Sequence, residues 1–156
     1  MLVIRADVLS YMDVSDTSTP SYELIGEGFT SASESKNPKE YSRQYIHEKT
    51  ERTDIIGYAP SIAYSADVYT DNAVIDVIRK VTDEELIGTD AQRDIVTVHM
   101  FEGTAAARVA YKRKYAIIPD AKGDGVEALI YTGTFKAVSE VVKGTWNEET
   151  KAFTPA

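Results

Sequence analysis

Regular alternation of side chains between residues 57 and 70 limits the fold of this chain more than any other feature. Such a period of two over seven or more residues is typical of a strand with one buried face. One face of the predicted strand carries Tyr58, Ile62, Tyr64, Ala66 and Val68, and the other carries Ser61, Ser65 and Asp67.

After this strand the period changes from two to the spacing of a helix. The apolar residues now fall on one helical stripe, and either Asp71 or Asn72 is placed to cap the first turn. Gly88 is the predicted end of the helix. The stripe consists of Val74, Ile75, Val77, Ile78 and Val81.

Most other segments favour strands, since they are rich in β-branched and aromatic residues and end at turn-forming residues. We predict a strand over residues 22–33, with Gly26 and Gly28 at a bulge or a close approach of two backbones, and a C-terminal hairpin around residues 147–150. The predicted fold is mainly β with one α-helix, a β-sandwich or barrel-like sheet closed by the helix. Further strands are predicted over residues 95–101, 108–118 and 126–142, separated at residues 103–104 and 119–125, with part of the third buried on both faces.

Residues 36–54 form a charged segment in which four acids and five bases alternate with aromatic and apolar side chains. An ordinary linker in solvent is polar throughout and does not carry such apolar and aromatic side chains, so we interpret the segment as a surface that contacts another protein. The candidate interface residues are Lys39, Tyr41, Arg43, Tyr45, Ile46, His47, Glu48, Lys49, Glu51, Arg52 and Asp54.

Composition excludes several other classes of function. The net charge of −8 disfavours binding to nucleic acid or an anionic membrane. The absence of cysteine excludes disulfides and thiolate metal sites. No apolar run approaches the roughly 18 residues of a membrane span, and no signal peptide is recognisable, so we expect a soluble protein without membrane partners.

The sequence contains no convincing active site, and we predict no catalytic residue, metal or cofactor. The two histidines, His47 and His99, are not accompanied by a nucleophile motif, and Glu51 occupies the position where a zinc-protease helix needs its second histidine. Residues 120–125 begin like a calcium loop but have Lys122 at a ligand position, so a turn is the simpler interpretation. A basic strand face at Arg108, Lys112 and Lys114 either touches phosphate or, as we prefer, is solvated or salt-bridged.

The order of these elements resembles that of the tail tube proteins of long-tailed bacteriophages. The resemblance is carried by residues 28–36 (GFTSASESK), by the charged segment with the strand that follows it, and by residues 133–155 (GTFKAVSEVVKGTWNEETKAFTP). It extends over most of the chain and rests on arrangement rather than on a catalytic signature.

The resemblance implies a structural virion protein of the phage tail, assembled in the bacterial cytoplasm from a single tail-tube domain, residues 1–156. Hexameric rings of the protein would stack into a conduit for DNA, which passes a repulsive wall without specific binding. Residues 36–57 would form an inter-subunit loop or hairpin, and residues 144–156 a C-terminal hairpin or arm. The expected partners are further copies of the chain and the tape measure, tail terminator and tip proteins.

Within this assembly we expect Arg43, Lys49 and Arg52 to meet acids of an adjacent subunit, and the basic strand face to point away from the lumen. Two other interpretations stay open from the sequence. One is a non-enzymatic protein-binding β-module that uses the charged segment as a ligand loop. The other is a tube subunit of a contractile tail-like particle or secretion system.

Overall fold

The computed structural model describes residues 1–123 and 126–156. Within these residues the chain forms eleven strands, one α-helix and two short 3-10 helices, Arg5–Asp7 and Gly88–Ala91. The helix α1 is Ala73–Asp83, and the strands are β1 (Val8–Asp13), β2 (Tyr22–Leu24), β3 (Phe29–Ser35), β4 (Pro38–Arg43), β5 (Arg52–Tyr58), β6 (Ser61–Asp67), β7 (Gln92–Thr104), β8 (Ala107–Lys122), β9 (Ile130–Ala137), β10 (Val142–Asn147) and β11 (Ala152–Pro155).

The long strand β8 joins two half-sheets, because its two halves have different neighbours. Its first half lies between β7 and β10, and its second half pairs with β9. The first half-sheet therefore contains β2, β1, β7, β8, β10 and β11, and the second contains β8, β9, β6 and β3. All pairings in the sheet are antiparallel. The predicted fold class, mainly β with one α-helix and a β-sandwich or barrel-like sheet closed by the helix, is confirmed, and the sheet is a curled half-barrel.

The main core lies between the second half-sheet, the helix and one end of the first half-sheet. Strand β6 contributes the alternating residues predicted from the sequence, with Ile62, Tyr64 and Ala66 buried and Ser61, Ser65 and Asp67 on the opposite face. The ring of Tyr64 stacks on Phe135 of β9 at a centroid distance of 4.5 Å. The other members of this core are Met12, Val74, Ile78, Val81, Ala91, Ile95, Tyr115, Ile117 and Tyr131.

A second apolar cluster covers the opposite face of the first half-sheet. At its centre is Trp146 of β10, which is fully buried and stacks on Tyr11 at a centroid distance of 4.5 Å. Tyr22 meets the same indole edge-on at 5.5 Å. Val96, Val98 and Ala110 complete the buried part of this cluster.

The helix begins where the sequence predicts and ends earlier. Asn72 is the N-cap, and its Oδ1 accepts hydrogen bonds from the backbone N–H groups of Val74 and Ile75. At the other end Glu85 takes a left-handed φ of 52°, and the Leu86 N–H donates to the carbonyl of Val81. This is a Schellman ending with glutamate in the position that glycine usually fills. The prediction that Gly88 ends the helix is therefore wrong.

A carboxylate near the end of the helix ties it to the second half-sheet. Asp83 accepts hydrogen bonds from the Tyr131 hydroxyl at 3.0 Å and from the Lys122 ammonium at 2.6 Å. The hydrogen bond from Lys122, followed by that from Tyr131, holds the pKa of Asp83 below its ordinary value. The helix is thus attached to both β8 and β9 through one side chain.

We expect the Asp83→Asn variant to unfold at lower urea concentration than the wild type at pH 7. Because the pKa of Asp83 is lower in the folded than in the unfolded state, its stabilisation is present above about pH 4 and is lost as the pH falls through the folded value. The urea midpoints of the two proteins should therefore converge between pH 7 and pH 2. Asp76→Asn is the matched control, since Asp76 has only a surface contact with Arg79. A constant difference across this range contradicts the role given to the Asp83 carboxylate.

The predicted strand boundaries need several corrections. Residues 22–33 form two strands rather than one, and the predicted strand over residues 57–70 is interrupted between Tyr58 and Ser61. Strand β8 continues through Pro119, which is tolerated because β7 pairs with β8 only as far as Ala116 and leaves that edge open. The predicted turn at residues 119–125 is wrong as far as Lys122, and Asp124 and Gly125 lie outside the described residues.

The predicted strand over residues 126–142 is also shorter than expected. Strand β9 covers only Ile130–Ala137, and its second face carries Thr132, Thr134 and Lys136, so burial on both faces is wrong. The turn predicted at residues 103–104 lies two residues later, at residues 105–106, because Gly103 and Thr104 still pair with β8. By contrast, the C-terminal hairpin around residues 147–150 is present.

Candidate assembly interface

The charged segment folds as a separate two-stranded hairpin, residues 38–58, formed by β4 and β5. It continues the ladder of β3 and β6 after a short break, at which the Asn37 side chain donates to the carbonyl of Ala59 at 3.1 Å and contacts Ser61 Oγ at 3.2 Å. The six residues of β4 carry the hairpin about 20 Å further from this junction. Within the described residues, no other element forms an extensive contact with it.

The two faces of the hairpin differ in charge. One face, which we call the Tyr41 face, carries Lys39, Tyr41 and Arg43 of β4, with Arg52 and Asp54 of β5 opposite them. The other face is formed mainly by Glu40, Ser42, Thr53 and Ile55, and the hydroxyls of Ser42 and Thr53 lie 3.0 Å apart across the strands. Three cations and one acid therefore share the Tyr41 face.

Two arginines face each other across the strands, and local partners offset their repulsion. Arg43 forms an ion pair with Asp54, while Arg52 makes two contacts with the carboxylate of Glu48, at 2.6 and 2.9 Å. The ring of Tyr45 lies 5.8 Å from the Arg43 guanidinium and 5.5 Å from that of Arg52. The hydrogen bond to Tyr45, and then that to Asp54, raise the pKa of Arg43.

These pairs change the expected role of the basic residues. Arg43 and Arg52 already have acidic partners in their own hairpin, whereas Lys49 and Lys39 make no ion pair with any described residue. The expectation that all three of Arg43, Lys49 and Arg52 seek acids on a neighbour stays a prediction, and only for Lys49 does the single chain leave the ammonium without a carboxylate.

The hairpin exposes more apolar surface than its sequence suggested. Ile46 at the loop is fully exposed, and Ile55, Ile56 and Tyr58 are 57%, 67% and 56% exposed. None of the last three is among the candidates from the sequence, which place Tyr58 on the buried face of the following strand. Pro60 lies between β5, which contains Tyr58, and β6, and a proline at this position was the sequence signal that the two strands are separate.

All eleven candidate interface residues lie on the hairpin. The fold brings five of them together on the Tyr41 face, and Tyr45 and Glu48 fold back toward that face from the loop. The remaining loop candidates are Ile46, His47, Lys49 and Glu51. A contact between any of these residues and another subunit stays a prediction.

The basic strand face predicted on β8 is partly neutralised within the chain. Arg108 forms an ion pair with Glu148 at 2.7 Å, and the Lys112 ammonium lies 5.3 Å from the ring of Phe153. Both partners belong to the segment that contains the β10–β11 hairpin, and this face also contributes Ala110 to the Trp146 cluster. The interpretation as a salt-bridged face therefore holds for Arg108.

An open cleft lies between the half-sheets, close to the base of the hairpin. Its volume is about 610 Å³, and its lining is mostly apolar, with His99 and Arg113 among the polar residues. His99 lies 3.5 Å from Glu102, and His47 is on a different element. In residues 1–123 and 126–156, no three His, Asp or Glu side chains form a group that could hold a metal ion. No helix in these ranges is both long and apolar enough to span a membrane.

Comparison with solved structures finds the same architecture in tail assemblies. A chain of the SPP1 tail tube superimposes with a TM-score of 0.68 at 13% identity, covering 94% of this chain and 81% of that chain. A chain in the tail of the empty gene transfer agent particle, determined with C6 symmetry, gives a TM-score of 0.62 at 13% identity and covers 98% of this chain and 99% of that chain. This chain has the tail tube fold.

The tail tube fold of this chain is also similar to that of a chain in the cap of the anti-feeding prophage. That chain is 15% identical, with a TM-score of 0.57 and coverage of 93% of this chain and 92% of that chain. No protein-family model matches the sequence, and no curated protein matches it significantly. The likeness is thus one of tertiary structure, at a level of identity where sequence comparison no longer detects it.

Proposed function

We propose that this chain is the subunit of a phage or phage-like tail tube, a structural virion protein without catalytic activity. Copies of the chain form hexameric rings, and the rings stack into the conduit through which DNA passes. The observation that carries this proposal is the likeness to tail assemblies over nearly the whole length of both chains, including a tail determined with C6 symmetry.

Two features of the single chain support assembly with further copies. The hairpin, residues 38–58, exposes apolar side chains that an isolated two-stranded sheet cannot bury. Among the residues that the structure describes, strand β3 pairs only with β6, so the backbone groups of its other edge are open for pairing with a neighbour. Such an edge invites aggregation in a monomer, whereas in a ring it provides the contact between subunits.

Charge supports passage of DNA without binding. The chain has a net charge of −8. A tube wall of the same sign as DNA repels the phosphate backbone, whereas a cationic wall would bind it by releasing counterions. The pairing of Arg108 with Glu148 removes one of the cations that could hold DNA. In this assembly the tape measure, terminator and tip proteins contact the tube, and the tail is assembled in the bacterial cytoplasm.

A terminal position is the second candidate, because the chain is also similar to a cap chain and a baseplate chain of the anti-feeding prophage. A tube subunit adds ring upon ring, whereas a terminal protein forms one ring and stops. Tubes of a contractile tail-like particle or secretion system also grow by adding ring upon ring.

The test is the assembly of the purified chain, followed by light scattering and negative-stain electron microscopy. We expect sixfold rings and tubes whose length increases with protein concentration. Single rings of constant height support the terminal role instead. A chain that stays monomeric at high concentration, also when tail tip complexes are added as initiators, contradicts both.

A further inference from the structure

The hairpin and the end of the helix lie at opposite ends of the second half-sheet. The hairpin leaves from the end where β6 begins, next to Ser61. The helix crosses the end where β6 finishes, since Asn72 donates to the Glu27 carbonyl and Asp83 is bonded to Tyr131, the partner of Ala66. The seven residues of β6 separate these ends by about 23 Å.

Charge is distributed unevenly between these two ends. Residues 67–94, which contain the helix and its flanking turns, carry eight acids and three bases, a net charge of −5. The hairpin, residues 38–58, carries four acids and four bases, and its cations are concentrated on the Tyr41 face. The subunit is therefore electrically polar along the direction of its strands.

Both ends hold charged side chains without partners in the described part of the chain. Lys39 and Lys49 on the hairpin make no ion pair, and neither do Glu84 and Glu85 at the end of the helix. All four are exposed. Neither pair of like charges is neutralised by a described residue, so each pair attracts a surface of the opposite sign.

Apolar side chains accompany these charges at each end. Ile46 is fully exposed in the hairpin loop, and Ile87 next to the two glutamates is 83% exposed. A contact that buries both isoleucines is stabilised by about 25 cal/mol for each Å² of apolar surface that it removes from water. The charges around them give the contact its direction.

We propose that the Tyr41 face of the hairpin, together with the hairpin loop, docks on the acidic helix end around Glu84 and Glu85 of a second copy of this chain. This inference rests on the proposed tube function and specifies how rings attach to one another. Each copy offers one end of each kind, so the contact is head-to-tail and propagates as an open stack. Head-to-head contact brings two acidic ends together and is disfavoured, so stacking has a single direction.

Charge reversal tests this pairing with two double variants. Lys39→Glu with Lys49→Glu places unpaired acidic side chains at both ends, and Glu84→Lys with Glu85→Lys places unpaired basic side chains at both ends. We expect each to slow the elongation of tubes from wild-type seeds at low ionic strength at least about tenfold, because electrostatic steering raises association rates by this factor or more. Light scattering measures the rate, and circular dichroism confirms the fold of each variant.

Combination of the reversals provides the decisive measurement. The chain with all four substitutions again carries unpaired side chains of opposite sign at its two ends, so it should elongate on its own at a rate close to that of the wild type. A mixture of the two double variants should co-assemble in alternation. Lys114→Glu with Lys143→Glu is the matched control and should leave elongation unchanged, since both side chains are exposed and neither forms an ion pair with a described residue.

The outcomes separate this inference from the function on which it rests. If wild-type tubes form but the double variants elongate at the wild-type rate, or the fourfold variant is folded and stays inactive, the proposed pairing is wrong and the tube function stands. If the wild-type chain forms no tubes or rings, the proposed function is wrong, and this inference is wrong with it.

Discussion

Removal of the β4–β5 hairpin is expected to abolish tube growth and to leave the melting temperature of the subunit almost unchanged. The backbone N–H of Ala59 donates to the carbonyl of Asn37 at 3.2 Å, so the ends of the excised segment are already adjacent. An Asn-Gly pair in place of residues 38–58 closes them with a two-residue turn. Because β4 and β5 contain no buried residue, the core loses nothing by the excision.

Two measurements separate assembly from folding in this experiment. Electron microscopy and light scattering report tubes, and thermal unfolding followed by circular dichroism reports the core. A control variant with Ser42→Ala and Thr53→Ala changes only the face opposite Tyr41 and should form tubes. Loss of cooperative melting on excision would instead show that the hairpin is part of the folded core.

Trp146→Ala is expected to lower the free energy of unfolding by about 3–5 kcal/mol, the usual cost of truncating a buried tryptophan. The indole is fully buried, stacked on Tyr11 and met edge-on by Tyr22. Its strand β10 pairs with β8, so truncation of the indole leaves a cavity against the central strands of the first half-sheet. For a domain with a total stability of 5–15 kcal/mol, this is a large fraction.

Urea unfolding followed by circular dichroism measures the effect, and Trp146→Phe is the control. Phenylalanine keeps an aromatic ring in the cluster and removes an indole N–H that has no hydrogen-bond acceptor in the described residues. We therefore expect a smaller loss than for alanine. With a urea dependence of about 2 kcal/mol per M, the alanine variant shifts the midpoint by about 2 M. A shift equal to that of the phenylalanine variant contradicts the packing role.

The second half-sheet could be predicted from the sequence because its side chains alternate in the simplest way. Ile62, Tyr64 and Ala66 are buried where the period predicts, and Asn72 caps the helix because its amide oxygen suits the first N–H groups. The end of the helix could not be predicted in this way. Glutamate is an unusual residue at a left-handed position, so nothing local marks Glu85.

Prediction of the candidate site was limited by a different physical cause. The charged segment was recognised by its composition, and the eleven candidates do lie on one hairpin. Its pairing was not foreseeable, because the bulge after Lys39 shifts the register and decides which charges share a face. The exposed Ile55, Ile56 and Tyr58 look like core residues in the sequence, because their apolar side chains do not reveal that the hairpin lies apart from the core.

The strand shared by the two half-sheets determines where an assembled tube can bend. Strand β8 is sixteen residues long and is hydrogen-bonded to β7, β10 and β9. The half-sheets therefore cannot tilt against each other without breaking a ladder, which makes the subunit a stiff body. A two-stranded hairpin without a core of its own resists bending far less. With rings joined through the hairpins, as we propose, curvature of a tube under load would be taken up between rings, while each ring keeps its bore.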